Sequence, residues 1–200
     1  MRIGLTGGMG SGKTAVSNLF SGLGIDIVDA DLITRDLCQI GKPAYIEILK
    51  QFGNNILSEN QTLNRARLRE VIFNNEAKKR QLEGILHPLV RQSIYCKLNH
   101  TQSPYCIAVI PLLVEANQYD YLDRVCVVEA EESTRLQRCL ARDNSNIDTI
   151  QKIFKSQITD MERIKVADDV IDNNGSIQQL ERNVIRLHQK YLNMIHEAPA

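Results

Sequence analysis

The stretch GGMGSGKT at residues 7–14 constrains this chain more than any other: two glycines separated by four residues, then Lys and Thr, match the pattern of a phosphate-binding loop. Such a loop works only between a buried strand and the start of a helix, where free N–H groups face an anion. Both flanks are legible. Arg2 to Thr6 is a short, mostly apolar run with no helical period, and Lys13 to Gly22 spaces Ala15, Val16, Leu19 and Phe20 for one buried helix face. Side chains at Gly7, Gly8, Gly10 and Gly12 would crowd a polyphosphate, and several of these positions are expected to need positive φ. The motif assigns Gly8, Gly10, Ser11, Gly12, Lys13, Thr14 and Ala15 to a nucleoside triphosphate, with Lys13 on the β- and γ-phosphates and the Thr14 hydroxyl on Mg²⁺. A plain glycine-rich turn with an exposed lysine is the duller alternative.

Further apolar runs at 25–28, 106–110, 124–128 and 169–171 alternate with helical patterns, which predicts an α/β fold with a five-stranded parallel sheet flanked by helices. The interval from about 32 to 104 carries only helical signals. Residues 78–98 repeat Leu82, Ile85, Leu86, Leu89, Ile94 and Leu98 at helical spacing, with Pro88 expected to kink or divide that helix. The expected organisation is a single unit: a core of 1–55 and 105–200, a helical insertion over about 56–104, and a lid over about 138–150. A closing helix from about 176 begins with a Ser176/Gln179 capping box.

At 200 residues the chain is long enough for one sizeable core, and its 24 basic and 24 acidic side chains cancel. No dense Lys/Arg run suggests nucleic acid, and no long apolar span suggests a membrane. Five cysteines, odd in number and without a C-x-x-C pair, fit a reducing, cytoplasmic setting; Cys106 and Cys126 lie in strand-like runs and are expected to be packed. The expected state is a monomer or a weak homo-oligomer.

What such a loop does depends on the other strand ends, where open α/β sheets bind ligands. Asp29 and Asp31 follow the run Ile25 to Val28, so a carboxylate is expected to emerge there. Asp31 can accept a proton from an attacking hydroxyl or help hold the metal; it can also simply cap the next helix. Arg135, Arg138 and Arg142 share one helical side, either a solvated face or a lid that brings guanidinium groups to a phosphoryl group, with Arg142 and then Arg138 the favoured contacts. Glu115 is either a partner for an arginine or linked to magnesium or acceptor, and His87, before Pro88, either bonds a carbonyl or contacts a ligand. In VADDVIDNNG at 166–175, Asn173 and its loop are placed to read adenine, while Asp172 and Asn174 suit an Asx turn.

Taken in order, GLTGGMGSGKTAV, DIVDADLITR, LNRARLREVIF, LEGILHPLVR, PLLVE, RCLARD and ADDVIDNNG resemble the segments of dephospho-CoA kinases, over residues 1 to about 192. The resemblance implies a P-loop kinase core, a helical acceptor-binding domain and a mobile lid. It also implies transfer of the γ-phosphoryl group of ATP to the ribose 3′-hydroxyl of dephospho-coenzyme A, the last step of coenzyme A synthesis. Asp31 would be the general base, and Arg35, Arg65, His87 and Arg91 lie in segments matching the acceptor side. Three positions depart from that pattern: Val114 where an aromatic is usual, Asn64 where Asp is common, and Arg135 where Gln is common. A GTPase switch fits poorly, since 172–175 reads D-x-x-G but no N-K-x-D follows. A kinase of another small hydroxylated acceptor shares every ATP-side feature and differs only in the acceptor segments.

Overall fold

Strand β1 (Arg2–Thr6) has four consecutive buried residues, Ile3 to Thr6, and so shows no alternation of apolar and polar positions. This marks a strand covered on both faces. The computed structural model describes residues 1–73, 75–117, 119–142 and 146–197. In it β1 lies at the centre of a five-stranded sheet with β2 (Asp26–Asp29), β3 (Cys106–Val109), β4 (Arg124–Glu129) and β5 (Asp169–Asp172) in the order β2-β3-β1-β4-β5. The described registers are parallel: Leu5 lies opposite Val109 on one side and Cys126 on the other, and Val128 lies opposite Ile171. The strand expectations thus hold to within a residue or two, because fully buried parallel strands are written as continuous apolar runs.

The helices among the described residues are α1 (Lys13–Gly22), α2 (Ala30–Leu37), α3 (Pro43–Phe52), α4 (Arg65–Phe73), α5 (Glu76–Leu98), α6 (Glu132–Arg142), α7 (Ile147–Ser156), α8 (Asp160–Lys165) and α9 (Ile177–Glu197). None is long and apolar enough to cross a membrane. The chain divides into two compact units. The first, residues 1–28 and 100–200, holds a core of Ile3, Leu5, Val16, Phe20, Ile107, Cys126 and Ile171 packed on Leu180, Val184 and Tyr191 of α9. Cys106 and Cys126 are buried as expected, and burial pushes both thiols upward. At the start of α9 the Ser176 hydroxyl accepts the Gln179 N–H at 3.3 Å.

The second unit, Asp29–Asn99, packs Ala44, Ile48, Ile56, Leu68 and Leu82 together with Leu37 and Leu89. Helices α2 and α3, which precede the 56–104 stretch read as an insertion, therefore share a core with α4 and α5. Helix α5 is not divided at Pro88, which lies inside one continuous helix. The residue four positions earlier, whose carbonyl a proline ring meets, is Gly84, with the widest backbone latitude of any residue. Asn64 stands at the head of α4, where its side-chain oxygen accepts the Arg67 N–H at 3.0 Å.

Candidate active site

The loop between β1 and α1 turns on glycine. Gly10 and Gly12 have φ of 79° and 97°, in the left-handed region, and Gly12 is the N-cap of α1, so the helix begins directly behind the loop. The space beside the glycines is taken up differently from the expectation. A Cβ on Gly8 would strike the Arg135 guanidinium, and one on Gly12 would strike the Asn173 amide. At these two positions, the loss of a side chain makes room for the protein's own polar groups behind the loop, not only for a polyphosphate in front of it.

Lys13 opens α1 and folds back over the loop: its ammonium donates to the Gly7 carbonyl at 2.7 Å and to the Gly8 carbonyl at 3.1 Å. Thr14 is exposed in the first turn, with Ala15 half-buried beside it. The Ser11 side chain is buried, and its backbone carbonyl is the anchor for two residues from elsewhere in the unit. The Asn173 amide donates to that carbonyl at 2.7 Å, and Arg138 donates to it at 3.4 Å while donating to the Asn173 carbonyl at 2.8 Å. Asn173 is 5 % exposed, so its side chain is occupied in bracing the loop instead of standing out to read a base. Directly after it, the Asn174 N–H donates to Asp172 at 3.0 Å, which is the anticipated Asx turn.

The arginine row of α6 is not a solvated face. Arg135 is 5 % exposed, stacks its guanidinium 4.6 Å from the centre of the Phe154 ring and pairs with Asp160 at 3.4 Å. Arg138 braces the loop as described, and Arg142, the last residue of α6, is exposed. Of the lid expected over about 138–150, residues 143–145 lie outside the described residues.

Glu115 sits in the turn after β3, a turn tied to the end of β1 by the Thr6 hydroxyl donating to the Pro111 carbonyl at 3.2 Å. It is a partner for an arginine, though one that the sequence did not suggest: Arg163 donates to it at 2.8 Å and to Asp160 at 2.8 Å, and is 1 % exposed. Gln157, which no sequence pattern marks, also joins the loop: its amide oxygen accepts the Met9 N–H at 3.0 Å. The one local signal was the opposite charge of Asp160 and Arg163 at a spacing of three.

In the helical unit, the expected cap role of Asp31 belongs to Asp29. The Asp29 carboxylate accepts the Asp31 N–H at 2.8 Å and the Leu32 N–H at 3.1 Å, leaving the Asp31 side chain exposed in the first turn of α2. Arg35 stands in the last turn of that helix. Cys38, its C-cap, has a thiol that burial pushes up, against a smaller downward pull from the Arg65 cation. His87 and Arg91 are exposed and one turn apart on α5, on one face. Far from acting at an interhelical bend, the imidazole lies mid-helix.

The family model described as dephospho-CoA kinase matches residues 1–179. Proteins named dephospho-CoA kinase from Photobacterium profundum and Colwellia psychrerythraea are 43 % and 44 % identical, the first covering 98 % of both chains and the second 96 % of both. A crystal structure of a Thermus thermophilus protein superposes with a TM-score of 0.84 at 26 % identity, covering 95 % of this chain and 97 % of the other. Dephospho-CoA kinase from Campylobacter jejuni gives 0.65 at 27 % identity, covering 94 % and 96 %. Shikimate kinase from Acinetobacter baumannii, 19 % identical with a TM-score of 0.53 and covering 96 % of this chain and 93 % of its own, shares the fold.

Proposed function

Because this chain belongs to the dephospho-CoA kinase family, which completes coenzyme A biosynthesis by phosphorylating dephospho-coenzyme A, we propose how its own residues divide that transfer. The loop from Gly8 to Ala15 holds the phosphates of ATP, and Lys13 leaves the Gly7 and Gly8 carbonyls to neutralise the β- and γ-phosphates. Arg138 and Asn173 hold the loop backbone in place, and Arg142 supplies charge to the phosphoryl group when the lid closes. Asp31 takes the proton of the attacking ribose hydroxyl, and Arg35, Arg65, His87 and Arg91 bind the acceptor through the helical unit. Glu115 is an acceptor-side carboxylate.

Mg²⁺ fits the donor set. The exposed Thr14 hydroxyl at the loop's exit is an oxygen ligand of the kind this hard cation takes, with phosphate oxygens and water completing the shell. When bound, the ion offsets charge on the phosphates. The chain is read as a cytoplasmic monomer or weak homo-oligomer acting on two small molecules.

The observation that carries this reading is the position of Lys13, at the start of a helix behind a glycine loop, with its ammonium on the Gly7 and Gly8 carbonyls of that loop. A coupled ADP-release assay with dephospho-coenzyme A and a panel of other hydroxylated acceptors tests it. Dephospho-coenzyme A is expected to be the preferred acceptor, and Lys13→Ala is expected to keep the fold while losing at least about 100-fold in turnover. Near-parental turnover of Lys13→Ala at saturating ATP refutes the phosphate role.

A further inference from the structure

Behind the phosphate loop lie two guanidinium and two carboxylate groups that the transfer chemistry above does not use as a set. Arg163 is 1 % exposed and Arg135 5 %, and both donate to the same oxygen of Asp160, at 2.8 and 3.4 Å. The second Arg163 branch reaches across the unit to Glu115 at 2.8 Å. Arg163 also comes within 3.4 Å of the position a Cβ on Gly8 would take, and Gln157 of the same segment holds the Met9 N–H. The stretch from Gln157 to Arg163 thus bonds the loop at Met9 and lies beside it at Gly8. A capping box of Thr159 and Glu162 fixes the start of α8, which sets where Arg163 points.

Burying a charge this deeply is costly, and a well-packed apolar side chain would join the same elements at less expense. What an apolar residue cannot do is orient a carboxylate. Arg163 does so with a planar fork whose two branches serve two carboxylates from different elements, a geometry a lysine cannot copy. Its effect on Glu115 is specific: one oxygen is committed to Arg163, while the other is buried with no hydrogen-bond partner among the described residues. An unpaired buried acceptor costs stability, and a catalytic role is one reason a native fold keeps such a group.

We propose that Arg163 is a positioning residue for phosphoryl transfer that acts through Glu115, holding its carboxylate in one orientation at the carboxyl end of β3 beside the phosphate loop. This rests on the reading of Glu115 as an acceptor-side carboxylate. The test is a double-mutant cycle, with kcat, both KM values and melting temperature measured for Arg163→Met, Glu115→Gln and the pair. Arg163→Met is expected to lower kcat by about 10- to 100-fold in the parent, the size of effect that follows from slight misplacement of a reacting group. In the Glu115→Gln background the same change is expected to lower kcat by less than about threefold, since the group it orients has already been altered. An equal loss in both backgrounds, or no loss in the parent, overturns the proposal. Where Arg163→Met does not fold, Arg163→Lys takes its place in the cycle; failure of both to fold would assign Arg163 to folding alone and also overturn it. If Glu115→Gln itself turns over normally, the acceptor-side reading of Glu115 fails, which is distinguishable from a failed coupling.

Discussion

Asp29 and Asp31 stand two residues apart, and the hydrogen bonds give the cap of α2 to Asp29. Asp29 holds the N–H groups of Asp31 and Leu32, so it caps α2, and the Asp31 carboxylate is not spent on that task. Replacing Asp31 with Asn removes a proton acceptor but leaves the cap in place. Asp31→Asn is therefore expected to melt within a few degrees of the parent and to bind both substrates, yet to lose on the order of 10²- to 10⁴-fold in kcat. Asp29→Ala is the complementary case, expected to cost about 1 kcal/mol of stability through the lost cap. Steady-state turnover beside calorimetric titration of each substrate checks the pair. Parental kcat in Asp31→Asn removes the base assignment, and lost affinity for ATP with Mg²⁺ alone moves Asp31 to the metal.

At the level of elements, α6 is a graded arm. Arg135 at its buried start is pinned by Asp160 and Phe154, Arg138 in its middle braces the loop, and Arg142 at its end is exposed. Of the three, Arg142 is the exposed one. Arg142→Ala is accordingly expected to lower kcat more than it raises the acceptor KM, because its charge acts in the closed state. A rise in acceptor KM alone, read from full saturation curves, would move Arg142 to the acceptor site. The strands and the loop were legible in the sequence because buried parallel strands and a glycine loop leave continuous, local patterns. The bracing behind the loop was not. Glu115 and Arg163 stand 48 positions apart, and Ser11 and Asn173 stand 162 apart, so no local period links them. Pro88 misled for the opposite reason: its own local signal is strong, but Gly84 and the packing of α5 on its neighbours outweigh it.

At the scale of the molecule, the first unit is closed on one side by an acid. Asp169, at the start of edge strand β5, takes Arg124 of β4 at 2.9 Å, Lys190 of α9 at 2.6 Å and the Tyr191 hydroxyl at 3.1 Å. A single carboxylate thus joins the edge strand, its neighbour and the C-terminal helix. Burial alone would raise its pKa, but the hydrogen bonds from Arg124, Lys190 and Tyr191 and the Arg124 charge outweigh burial and hold it below the ordinary carboxylate range. A depressed folded-state value gives stability that is fully present above the unfolded value of about 3.9 and is lost as pH falls from there through the folded value. Removing the charge at neutral pH leaves Arg124 with its main partner gone, and breaking a buried pair in this way costs about 3–5 kcal/mol. Asp169→Asn is therefore expected to unfold in urea with at least about 2 kcal/mol less stability than the parent at pH 7, allowing for the exposed Lys190. The gap should narrow as the medium is taken below about pH 4, where the unfolded parent chain takes up the Asp169 proton before the folded protein does. Urea unfolding of both proteins at neutral and at acid pH measures the difference directly. A gap that stays constant across that range would mean that the Asp169 charge is not what stabilises the fold, and no gap at neutral pH would mean that a neutral amide serves as well.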